Sequence, residues 1–291
     1  MSGCVRHPGG PGILAAALII LGCALFSGGA AATEPRPAAF SAARLDCTAP
    51  DEITRFKAKL PNTARAIRHG KSLTIVAIGS SSTEGVGATD RDRSYPMQLA
   101  RALTRQWPNL DVTVINKGVG GEDAQAMLTR FETDVLPYQP QLVVWQVGSN
   151  YALRSDDHAA YAAILKKGVN RLKSVRTDII LMDLQYAPMV LNKPAHRRVV
   201  DTMRGLANDL SVAVFRRFDI MRYWVSSGKY RMEDVINRDR LHMNDTSYAC
   251  IGRLLADSVT AAARALLPAA AENAPAPPGA APAAGATVRA E

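Results

Sequence analysis

Five short, near-continuous apolar runs, each followed by a stretch of helical periodicity, leave this chain few folds to choose from. The runs are Leu73–Ile78, Val112–Ile115, Leu142–Val147, Ile179–Leu184 and Val212–Phe215. Rich in β-branched residues and without regular polar alternation, they read as strands buried on both faces. Helical patterns separate them over Tyr95–Trp107, Glu122–Phe131, His158–Val175 and Ala195–Leu210, and a last helix covers Tyr248–Leu267. A strand that rejoins its sheet after a helix runs parallel to the one before it. The pattern therefore predicts an α/β protein, a three-layer α/β/α sandwich around a five-stranded parallel sheet. Ahead of the first strand, Asp51–Arg68 has helical spacing that Pro61 breaks into two pieces. No internal repeat or second domain is visible.

The turns after the first three strands are unusual in composition. The first strand stops at Gly79 and runs into Ser80, Ser81 and Ser82; the second ends in Gly118–Gly121; the third ends in Gly148, Ser149 and Asn150. In a parallel sheet all strand carboxyl ends share one edge, where open α/β sheets bind ligands. These turns therefore converge, and at least one of the three serines is a candidate nucleophile. The polar loop before the last helix holds Asp239 and His242. An aspartate three residues before a histidine is placed to accept from Nδ1–H, leaving Nε2 to face a serine hydroxyl as its base. Trp145, Phe215 and Phe218 read as packing, and His69, His158 and His196 as surface positions. No set of His, Cys and carboxylates has metal-ligand spacing.

The ends of the chain read differently from its middle. Residues 1–32 combine Arg6, an apolar run over Ile13–Phe26 and small residues placed as a cleavage site before Thr33. That is the layout of a secretory signal, and the run is short for a membrane span. An uncleaved anchor, or a lipoprotein signal ending at Cys23, are the alternatives; the apolar run continuing past Cys23 argues against the second. Residues 33–45 read as a Pro/Ala-rich linker, 46–267 as the folded domain and 268–291 as a disordered Ala/Pro-rich tail. Export leaves Cys47 and Cys250, one near each end of the folded part, as candidates for a disulfide. The net charge of +9 comes from scattered arginines, not from a stripe with interleaved aromatics. No nucleic-acid partner is expected from that distribution.

Taken together, these blocks resemble the SGNH hydrolases, the GDSL-type esterase/lipase family. Gly79-Ser80-Ser81-Ser82-Thr83-Glu84-Gly85 is similar to that family's G-D-S-L-T-x-G, and the match selects Ser81 as nucleophile. Asn116-Lys117-Gly118-Val119-Gly120-Gly121 resembles its second block and implies Gly121 as a backbone oxyanion donor. Gly148-Ser149-Asn150-Tyr151 resembles the third, implying the Asn150 amide as another, and Asp239 with His242 fits the last. Ser80 and Tyr151 stand where the family carries aspartates. The resemblance spans Leu73 to about Tyr248 and implies the flavodoxin-like SGNH fold with an acyl-enzyme mechanism that uses no cofactor.

The expected function is an exported, periplasmic or secreted, ester hydrolase acting on small-molecule or glycan esters, with O-acetyl groups of envelope molecules foremost. Tyr151, Gln185 and Tyr186 are further candidates for lining the substrate site, and no stable membrane span remains once the signal is cleaved. An acyltransferase to a sugar hydroxyl, or a non-catalytic binding protein on the same fold, are the other readings.

Overall fold

Residues 46–155 and 157–268, and the backbone of 287–290, are described by a computed structural model. Five strands form where the apolar runs predict them: β1 (Ser72–Gly79), β2 (Asp111–Gly118), β3 (Leu142–Gln146), β4 (Asp178–Met182) and β5 (Ala213–Phe215). Every residue of β3 and β4 is buried, which is why their sequences show no alternation. Burying each such Val, Ile or Leu side chain contributes roughly 1.5–3 kcal/mol before chain entropy is counted.

The sheet is wholly parallel with order β5-β4-β3-β1-β2, followed by a sixth strand, β6 (Thr287–Ala290), beside β2. Four residues of the stretch expected to be a disordered tail are thus strand, a correction with a physical reason. Without β6, the outer edge of β2 would leave its N–H and C=O groups unpaired. Thr287 and Val288 are the only β-branched residues after Leu267, so they suit that edge best. The rest of the tail, the signal segment and the linker lie outside the described residues.

From β1 the chain winds outward to β2, then returns to the other side of β1 to build β3, β4 and β5. Right-handed crossovers in opposite directions place helices on opposite faces. The 61–69, 95–106 and 245–264 helices pack together on one face; the 158–174 and 195–209 helices pack together on the other. Pro61 opens the 61–69 helix at its first position, where its missing N–H costs nothing, and Asp51–Thr54 forms a separate turn. The reversal of winding lies between β1 and β3, so the crevice for a ligand opens at their carboxyl ends. Among the described residues no helix is long and apolar enough to cross a membrane.

The leading segment is fastened to the last helix by a disulfide between Cys47 and Cys250, with Cα atoms 4.9 Å apart and a sequence separation of 203. Hydrogen bonds from Trp224 Nε1 (3.1 Å) and Lys229 Nζ (3.0 Å) to the Thr48 carbonyl tie down the same segment. Closing so long a loop restricts the unfolded chain by about 5 kcal/mol in the chain-entropy model. The Cys47→Ala/Cys250→Ala variant is expected to melt on the order of 10 °C lower in a calorimetric scan. A midpoint that does not move would show that the bridge contributes nothing to stability.

Candidate active site

Ser80, Ser81 and Ser82 have separate fates. At the end of β1, the Ser80 N–H and hydroxyl both donate to Oε1 of Gln146, at 3.0 and 3.1 Å. Thr83 Oγ1 donates to the same oxygen (3.1 Å) and lies 3.0 Å from the hydroxyl of Tyr95, itself buried. Ser82 is buried too, whereas Ser81 opens a one-turn helix, Ser81–Glu84, and stays partly exposed. Ser80 thus fixes the turn through Gln146.

Two glycines let that turn sit so close. A Cβ on Gly79 would lie 2.8 Å from Gln146 Oε1, and one on Gly118 would lie 2.0 Å from the Glu84 nitrogen. Asn116 completes the clamp, donating from Nδ2 to the Thr83 carbonyl at 2.8 Å. Gln146 was not singled out in the sequence. Its one signal there is a polar residue at the end of an otherwise apolar strand.

The last polar loop brings His242 against this serine. Nε2 of His242 is 2.8 Å from Ser81 Oγ, and Nδ1 is 2.5 Å from Asp239 Oδ2. The other carboxylate oxygen, Oδ1, accepts from the backbone N–H of Leu241 and of His242, each at 2.9 Å. Partial burial opposes ionisation of Asp239. The Leu241 N–H, the His242 ring and the His242 N–H outweigh it and hold the carboxyl below the ordinary range. The loop is rigid because the Asn237 N–H donates to the His242 carbonyl (2.8 Å) and Ile236 bridges to Met243. An ionised carboxylate facing Nδ1–H leaves Nε2 as an acceptor for the serine proton.

On the opposite side of Ser81 lies the turn after β2. A Cβ on Gly120 would be 4.0 Å from Ser81 Cβ, which places this turn directly beside the serine. Gly121 has φ +79°, and its carbonyl accepts from Arg154 Nη1 at 2.8 Å. Asn150, opening the helix after β3, donates from Nδ2 to the Glu122 carbonyl at 2.8 Å and has a second amide hydrogen to give. The Ser81 and Gly121 N–H groups donate to no acceptor among the described residues. Glu84, also unremarked in the sequence, sets a carboxylate beside the same turn and 3.7 Å from Arg91.

The contacts of Gln185, Tyr151 and Tyr186, offered as candidates for lining the substrate site, are made with residues other than Ser81. Gln185 is buried: Oε1 accepts from Ser149 Oγ (2.6 Å) and Arg217 Nη2 (3.0 Å), and Nε2 donates to the Leu241 carbonyl (3.3 Å). It thus braces the Asn150 turn against the His242 loop from beneath. Arg217 is wholly buried; burial lowers its guanidinium to about 10 against the pull of Asp183. Asp183 is pushed up to about 6 by burial, opposed by Arg204, the Phe218 N–H and Arg217. Nothing local in the sequence marks an arginine for such a position.

Tyr151 packs on Tyr161 with ring centres 4.7 Å apart, and its hydroxyl donates to the Asp157 carbonyl at 2.6 Å. Tyr186 meets Phe218 edge-on at 5.3 Å in a separate cleft that His196 also lines. His196, expected at the surface, is buried; its Nδ1 lies 2.6 Å from the Lys193 carbonyl. His196 stacks on Phe218 at 5.6 Å, a partner further along the chain that its local sequence does not reveal. Among the described residues no group of three or more His, Cys, Asp or Glu side chains gathers into a metal site.

The arrangement offers a hydroxyl with a base, an anchored carboxylate behind that base, and unspent N–H donors on the far side. These are the parts acyl transfer needs. Comparison with known proteins agrees on the class of fold. The non-GDSL lipase-like family matches residues 46–265. An acetylxylan esterase of Geobacillus stearothermophilus is 28% identical over 156 residues, covering 48% of this chain and 71% of that protein. The uncharacterized lipoprotein YqeF of Bacillus subtilis (strain 168) is 33% identical over 103 residues, 35% of this chain. The match spans only 37% of that lipoprotein's length. In structure, a two-domain esterase active on acetylated mannans, co-crystallized with mannopentaose, superposes with a TM-score of 0.61 at 19% identity. That superposition covers 77% of this chain and 59% of the esterase, and at such identity it speaks for the fold alone.

Proposed function

The chain belongs to the non-GDSL lipase-like family of SGNH-type hydrolases, and on that footing we propose that it is an exported serine hydrolase cleaving carboxylic esters. The observation that carries this reading is the unbroken chain Ser81 Oγ–His242–Asp239, at 2.8 and 2.5 Å. His242 Nε2 takes the hydroxyl proton as Ser81 Oγ adds to the ester carbonyl. The imidazolium that forms is stabilised through Nδ1–H by Asp239. The oxyanion is met by the N–H groups of Ser81 and Gly121 and the free amide hydrogen of Asn150. Each such donor typically contributes about 3 kcal/mol to the transition state. Collapse breaks the ester C–O bond, His242 returns its proton to the departing alcohol, and water releases the acyl group from Ser81 by the same route.

The preferred acyl group is short, with O-acetyl esters of an envelope glycan foremost. The acetylxylan esterase relative and the esterase on acetylated mannans support that choice. Export is supported by the signal-like residues 1–32 and by the Cys47–Cys250 bridge, a bond that persists in oxidising compartments. The test is hydrolysis of p-nitrophenyl esters from acetate to palmitate by the protein without its signal segment, with a fluorophosphonate probe run in parallel. Turnover is expected to be highest on acetate or butyrate, with Ser81 the labelled residue in peptide mapping. A palmitate rate equal to the acetate rate would remove the short-acyl reading, and labelling elsewhere would remove Ser81.

A further inference from the structure

The loop that turns Asp239 and His242 inward presents two cations outward. Arg238 and Arg240 are exposed, and neither guanidinium pairs with a carboxylate among the described residues. Both line a single hollow of about 350 Å³ on the flank of this loop, together with Pro188, Met232, Ile236 and Asn237. The one acid on its wall, Glu233, is already 3.1 Å from Arg231. The arginines are carried on fixed backbone. The Arg240 carbonyl accepts from the Met189 N–H (3.1 Å), and its N–H donates to the Asn237 carbonyl (2.9 Å). Arg240 holds φ +63°, a left-handed conformation in which a bulky residue is uncommon.

We propose that this hollow binds an anionic sugar residue of the alcohol portion, so that the ester cleaved at Ser81 sits on an acidic glycan. This rests on the reading of Ser81 as an ester nucleophile. The volume falls at the small end of ligand sites. A guanidinium matches a carboxylate through two parallel hydrogen bonds, which an ammonium does not reproduce. Two such groups that pair with no carboxylate among the described residues, Asp239 between them being turned to His242, raise the local concentration of anions. Pro188, Met232 and Ile236 in the lining suit the C–H face of a sugar ring beside its charged group.

The experiment is calorimetric titration of the protein with trigalacturonate and, separately, with neutral xylotriose. Trigalacturonate is expected to bind at least about tenfold more tightly, with the gap narrowing in 0.5 M salt as the charges are screened. In the Arg238→Ala/Arg240→Ala variant its affinity falls about tenfold while that of xylotriose stays within twofold. Arg238→Lys/Arg240→Lys recovers only part of the loss. Equal affinity for the two sugars, or unchanged trigalacturonate affinity in the alanine variant, overturns the proposal. Neither sugar has to be hydrolysed, so the two readings fail separately. Trigalacturonate preference without turnover of any ester supports the hollow and removes the hydrolase; turnover without that preference removes the hollow alone.

Discussion

Replacing Ser81 with alanine is expected to lower kcat/KM on p-nitrophenyl acetate by about 10⁶-fold, roughly 8 kcal/mol of transition-state stabilisation. The size of the effect follows from the covalent role proposed for Ser81: without Oγ no acyl-enzyme would form, and His242 would have no proton to move. The thermal midpoint should stay within a degree or two, because the only hydrogen bond lost is the one to His242. Ser80→Ala is the informative contrast. It removes a buried hydroxyl that donates to Gln146, so it should cost about 1 kcal/mol of stability. Its activity should nonetheless remain far above that of the Ser81 variant. If both variants lost activity equally, the nucleophile would not be Ser81 and the neighbouring bonds would need another meaning.

Asp239→Asn carries the second large effect, a fall of about 10⁴-fold in kcat, or ~5.5 kcal/mol. The Leu241 and His242 N–H groups require an acceptor at Oδ1, so asparagine must keep its carbonyl there. Its NH₂ then faces Nδ1 of His242 and donates to it. That bond selects the tautomer with hydrogen on Nε2, which cannot accept the Ser81 proton. The loop stays in place while the base is lost, so KM should change by less than threefold. A Km that rises in step with the fall in kcat would instead mean that Asp239 holds the substrate or the loop. Because the surroundings of Asp239 lower its proton affinity, it stays ionised to a lower pH than an ordinary aspartate. Loss of activity on the acid side should therefore not begin with Asp239.

Much of this was legible before any coordinates. Strands β1 to β5 are visible because parallel strands buried on both faces are written as unbroken apolar runs. Asp239 and His242 were recognisable because their interaction spans three residues, and a local turn can deliver it. Gln146, Gln185 and Arg217 were not, since what they do depends on partners between 32 and 66 residues away in the chain. Gln185 looked like a turn residue beside the substrate; packing made it a buried brace. Thr287 and Val288 gave no sign of β6, because an edge strand is selected by the free hydrogen-bonding groups of its neighbour.

By itself, then, the sequence determined the class of fold, the sheet edge where the candidate site lies, and the proximity of Asp239 to His242. Those follow from local periodicity and short-range turns, which act along the chain. The family resemblance had pointed to Ser81 among three adjacent serines; the tertiary structure supplies the physical reason it differs from its neighbours. Ser80 is taken by Gln146 across the sheet, Ser82 is buried, and Ser81 alone reaches His242, 161 residues further on. Three adjacent hydroxyls are chemically alike, and only the close packing of distant segments makes them different.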